Sequence, residues 1–132
     1  MLDAPIRRRL DAPLARVGQR VAARGIPANA VTAGGFGLGV AACVAVAFNQ
    51  WPLGLALWLA NRLADGVDGS VARAHGSDGP TDTGGFLDIM SDFAIYGGMV
   101  VAIGYAVPEA RLAALAVFLG YYLSGSAFLA WS

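Results

Sequence analysis

Apolar residues recur at helical spacing over the first two dozen positions, as Leu2, Ile6, Leu10, Leu14, Val17 and Val21. Arg7, Arg8, Arg9, Arg16, Arg20 and Arg24 take much of the remaining surface. This pattern predicts an amphipathic helix over 2–24. Pro5 suits its first turn, and Pro13 predicts a bend or split. From Gly25 to Asn61 there is no charged residue, a stretch longer than the about 20 residues that one membrane crossing needs. Asn49-Gln50-Trp51-Pro52 interrupts it, so the pattern predicts a first span over 30–48 and a second from Trp51 to Ala74. The Gly, Ser, Asp, Pro and Thr of 75–83 predict a loop. A third span runs from Gly84 to Val107, a turn follows at Pro108-Glu109, and a fourth span starts at Arg111. No strand alternation and no repeat competes with this reading. The fold class is therefore an all-α membrane protein of one domain over 1–132. It has an N-terminal amphipathic surface helix (1–25) and a bundle of four transmembrane helices (26–132).

Composition agrees. Hydrophobic residues make up 57% and charged residues 14% of the 132, against roughly 25% charged in a soluble domain. Nine basic and nine acidic residues cancel, and no nucleic-acid partner is expected. Six of the basic residues fall between Arg7 and Arg24, and six of the acids between Asp65 and Asp92. The arginine-rich helix belongs in the headgroup layer among membrane lipids. The positive-inside rule puts the N-terminus and the 75–83 loop in the cytoplasm. The absence of lysine beside many Ala, Gly and Arg reads as a GC-rich bacterial genome, and hence as a bacterial inner membrane. Cys43, the single cysteine, excludes an intrachain disulfide and sits among Ala and Val as apolar filling. Gly35 and Gly39 read as a helix-packing surface.

The acidic stretch carries the chemistry. Asp65, Asp68, Gly69 and Ala72 share one helical face, as do Gly84, Asp88 and Asp92 at spacing four. Two helices returning antiparallel bring two carboxylates each to one point. Four ionised carboxylates together are costly in a membrane unless a cation joins them. An all-oxygen donor set suits Mg2+ or Mn2+. Gly69 and Ala72 leave room for a bulky ligand, and Arg73 offers a planar cation to a phosphate oxygen. Asp78 and Asp82 read as solvated turn residues. An EF-hand fits poorly, because the ligand order and distal glutamate are missing.

Asp65-x-x-Asp68-Gly69-x-x-Ala72-Arg73, followed by Gly84-x-x-x-Asp88-x-x-x-Asp92, resembles the signature of the CDP-alcohol phosphatidyltransferases. Pro27-Ala28-Asn29-Ala30-Val31-Thr32 is similar to the stretch that opens the family's first span, with Ala28 inserted. The resemblance implies transfer of a phosphatidyl group from a CDP-activated lipid such as CDP-diacylglycerol to an alcohol acceptor, with release of CMP. It implies two metal ions bridged by Asp65 and Asp88, with Asp68 on the first and Asp92 on the second. Asp92 is also the implied general base. Gly69 and Arg73 are implied contacts of the CDP moiety, with Ala72 and Gly84 beside it and Asn29 and Thr32 on the nucleotide side. Thr81, counted back from Gly84, is the expected loop contact. A homodimer is compatible with the resemblance.

Two departures stand out. Ten residues separate Arg73 from Gly84, where the family usually has about eight. The chain holds four spans where members usually have six, so it reads as a truncated chain or a fragment. The competing function is divalent-cation or proton transport along the aspartates. Against it, these acids lie near one end of the spans, beside a basic residue.

Overall fold

The computed structural model describes the backbone of residues 3–74 and 82–131, and the side chains of 13–71, 86, 87, 89–128 and 130. Among the described residues five helices follow one another: α1 (Asp3–Ala22), α2 (Ala28–Ala47), α3 (Trp51–Ala74), α4 (Asp82–Ala106) and α5 (Arg111–Trp131). A short 3-10 turn at Pro108–Ala110 joins α4 to α5. No strand occurs among the described residues. The spans expected from hydropathy and their breaks fall on these helices within a few residues.

Among the described residues, three helical stretches are long and apolar enough to cross a membrane: Ala28–Ala47, Ile89–Ala106 and Pro108–Phe128. At 24 residues α3 is as long, but its second half carries Arg62, Asp65, Asp68 and Arg73. That charge is why it fails the same test of composition. Pro13 lies inside α1 without splitting it. A missing N–H removes only one hydrogen bond, and the flanking turns carry the helix past it. The side chains of Leu2, Ile6, Leu10 and Arg7–Arg9 lie outside the described residues.

The helices meet at small residues. α2 packs along both α3 and α4, α1 along α3, and α4 along α5. A Cβ on Gly35 would stand 3.1 Å from Ala64 Cβ, and one on Gly54 would stand 2.6 Å from Val46 Cγ2. Gly39 is the tightest of the seam: its Cβ would fall 2.5 Å from Cδ1 of Ile95. Ile95 is only 2% exposed and cannot step aside. Gly35 and Gly39 thus form the packing surface their spacing predicts. Cys43 fills the same α2–α4 seam, with its sulfur 3.8 Å from the Ile95 carbonyl. α1 approaches α3 in the same manner, with Gly18 against Ser70 and Val71, and Leu14 against Gly66.

Two backbone reversals set the layout. Gly25 ends α1 at φ +74°, a left-handed conformation that glycine adopts without penalty. Asn49 adopts φ 60° between α2 and α3, which asparagine tolerates better than most residues. The outer surface is apolar: Leu112 is 80% and Tyr105 69% exposed, as suits side chains that face acyl chains rather than water.

The Gly39 seam yields a stability test. Gly39→Ala overpacks Ile95 and is expected to lower stability by about 1–3 kcal/mol. Gly34→Ala meets open space and is expected to be neutral or slightly stabilising through helix propensity. Thermal unfolding of both variants in detergent checks the contrast.

Candidate active site

Three helices line one pocket. α2 contributes Thr32, Gly35 and Phe36; α3 contributes Asn61, Arg62, Asp65 and Asp68; α4 contributes Ser91, Asp92 and Ile95. The cavity among them is small, about 10 Å³. Two of the helices do not face each other as directly as the spacing suggested. α2 is the common neighbour, and among the described residues α3 and α4 meet mainly through long side chains across the pocket.

The acidic residues take defined positions. Asp68 Oδ2 accepts a hydrogen bond from the Thr32 hydroxyl at 2.8 Å. Its Oδ1 accepts one from the backbone N–H of Gly69 at 2.6 Å. Thr32 Oγ1 also lies 3.2 Å from the carbonyl of Ala28, one turn back on α2. Asp92 Oδ1 accepts a bond from Arg62 Nη2 at 2.7 Å, and Asp65 Oδ2 stands 4.0 Å from Arg62 Nη1. About a third of the Asp65 and Asp92 side chains is exposed (38% and 36%).

Arg62 is the residue that pattern reading passed over. Its Nη1 donates to the hydroxyl of Tyr96 at 2.9 Å, and the guanidinium lies 5.1 Å from the Tyr96 ring centre. Its Nε and Nη2 both donate to Asn61 Oδ1, at 3.0 and 2.8 Å. Asn61 is buried, and its amide donates in turn to the Gly35 carbonyl at 2.9 Å. A polar chain therefore runs from the α2 backbone through Asn61 and Arg62 to Asp92 and Tyr96 on α4. The signal was present in the sequence: Arg62 is an arginine inside a span, three residues before Asp65, and such a residue seeks a partner. Tyr96 lies four residues after Asp92, on the same helical face.

The other expected site residues are placed less closely. Asn29 sits exposed in the first turn of α2 and does not line the pocket. Gly69 reaches the site through its N–H to Asp68. The backbones of Ala72 and Arg73 close α3, and those of Gly84 and Asp88 lie in the first two turns of α4. The side chains of Ala72, Arg73 and Asp88 lie outside the described residues, and Thr81 does so entirely.

The donors available are carboxylates and the hydroxyls of Thr32 and Ser91, hard oxygen groups that fit a divalent ion such as Mg2+ or Mn2+. Among the described residues no three acidic, His or Cys side chains crowd closely enough to grip one ion as they stand. Asp92 is engaged by Arg62 and Asp68 by Thr32.

Comparison with known proteins agrees with this chemistry. The chain is 35% identical, over 136 aligned positions, to a protein named "Inner membrane protein YnjF" of Escherichia coli (strain K12). The match takes in 100% of this chain and 63% of that protein, so the chain spans under two thirds of its relative's length. No solved structure matches it. The family model described as CDP-alcohol phosphatidyltransferase matches residues 26–131, from the start of α2 to the end of α5. The chain therefore belongs to the CDP-alcohol phosphatidyltransferase family.

Proposed function

We propose that the chain carries the nucleotide- and metal-binding part of an enzyme that moves a phosphatidyl group from a CDP-linked lipid, such as CDP-diacylglycerol, to an alcohol, releasing CMP. One observation carries the reading: Asp65, Asp68 and Asp92, drawn from two helices, line a single pocket in a chain of this family. Family membership also favours this reading over ion transport.

Asp65 and Asp88 would bridge two divalent ions, Mg2+ or Mn2+, with Asp68 on one and Asp92 on the other. Bound there, such ions polarise phosphoryl oxygens and offset their negative charge. Asp92 takes the proton from the acceptor hydroxyl. The acceptor oxygen forms a bond to the phosphorus on the lipid side of the pyrophosphate, and the bond from that phosphorus to the bridging oxygen breaks. CMP departs with the bonding electron pair. Arg73 pairs with the pyrophosphate, Gly69, Ala72 and Gly84 leave space for the CDP moiety, and Thr81 meets it from the loop. Asn29 and Thr32 flank the nucleotide. Thr32 has a second task, because its hydroxyl fixes the orientation of Asp68.

Membrane placement follows from packing and charge. α1 touches α3 at Gly66, Ser70 and Val71, beside the acidic residues. The arginine-rich helix and the pocket thus share one end of the bundle, and by the positive-inside rule that end faces the cytoplasm. α3, flanked by α1 and α2, acts as the fourth span despite its charge.

Asp92→Asn is expected to lower CMP release from CDP-diacylglycerol by about 100-fold or more. A panel of alcohol acceptors with the full-length protein provides the assay, and full turnover by the variant would remove the base assignment. Chelation by EDTA is expected to abolish CMP release, and added Mg2+ or Mn2+ to restore it. Metal flux in vesicles without CDP binding would instead support the transport reading.

A further inference from the structure

Arg62 has no role in the chemistry just described, yet it bonds side chains of both α3 and α4 in the pocket. It donates to Asp92, Asn61 and Tyr96 and stands 4.0 Å from Asp65. Two of its neighbours are thus carboxylates assigned to metal ions, and its positive charge lies where a divalent ion's charge would act. We propose that Arg62 is the resident counter-charge of the carboxylate pocket. It neutralises Asp92 while no divalent ion is present and yields that carboxylate when one arrives. The inference rests on the metal-dependent reading above.

Three observations carry it. The carboxylate–guanidinium bond is short, at 2.7 Å, as expected between full charges. The guanidinium is anchored independently of Asp92, on Asn61 and Tyr96. Release of Asp92 therefore leaves Arg62 bonded rather than stranded. Asp65 Oδ2 stands 4.0 Å from the same guanidinium, so one cation serves carboxylates of both α3 and α4. Unbalanced carboxylates within a span are costly, and an internal arginine lets the helices assemble before metal loading. The same charge then repels the incoming ion, so affinity is set by competition.

The test compares the full-length parent with Arg62→Gln and Arg62→Lys in detergent or nanodiscs. Mn2+ binding is read from the paramagnetic resonance of the free ion, and thermal unfolding is read with EDTA or with Mn2+. Arg62→Gln is expected to bind Mn2+ about tenfold tighter or more, because a like charge has left the pocket. It is also expected to melt lower than the parent in EDTA and to gain more on adding Mn2+. Arg62→Lys keeps the charge and is expected to bind Mn2+ within about threefold of the parent. Unchanged or weaker Mn2+ binding by Arg62→Gln would overturn the proposal. So would an Arg62→Gln protein that cannot be recovered even with Mn2+, or an Arg62→Lys protein that behaves like it. If the parent releases CMP but Arg62→Gln leaves Mn2+ affinity unchanged, the counter-charge alone fails. If the affinity changes as expected but no acceptor supports CMP release, the transferase reading alone fails.

Discussion

Close approach of α2 to its neighbours is the constraint on which the rest depends. Gly35 and Gly39 let the backbone of α2 come near α3 and α4 at once, and that proximity gives Asn61 a buried carbonyl to bond. Without it, Asn61 would be a buried amide in search of partners, which is costly in a membrane interior. With it, Asn61 presents its oxygen to Arg62. The polar network of the pocket therefore hangs from two glycines whose only contribution is the absence of a side chain.

The pocket shows how a membrane bundle can hold so much charge. Each aspartate with a described bond is met by a donor of a different kind: a hydroxyl and a backbone amide for Asp68, and a guanidinium for Asp92. The donors come from both α2 and α3, so the acidic residues tie helices together as well as lining a cavity. Arg62 and Asp92 sit near the middle of α3 and α4, so their charges are balanced by each other within the bundle.

Much of the fold was legible because hydropathy and helix breakers act locally. The break at Asn49 and the turn at Pro108 each correspond to a structural boundary. Pro13 does not split α1, because a proline's effect depends on what the flanking turns can carry. Spacing alone put Asp65 and Asp68 on one face, and the pocket does receive both. Spacing could not say that α2, rather than direct contact of α3 with α4, brings Asp92 to them, because helix–helix neighbours are a three-dimensional property. Nor could it single out Arg62. An arginine near acids reads as one more charge until its anchors, Asn61 and Tyr96, are seen to come from two helices.

The reversal at Asn49 works as the zero mark of a ruler. Val46 and Gly54 touch just beyond it, then Gly39 and Asn61, then Gly35 and Ala64, and at the far end Thr32 and Asp68. Every pair lies almost equally far along the chain on either side of the hairpin tip. Adding one residue at the tip would slide α3 by about 1.5 Å and rotate it by about 100°. That displacement would reach Thr32 and Asp68 undiminished, roughly 25 Å away, because straight helices have no slack in which to absorb it. The length of the three-residue bend at 48–50 thus governs which atoms meet at the far end of the hairpin.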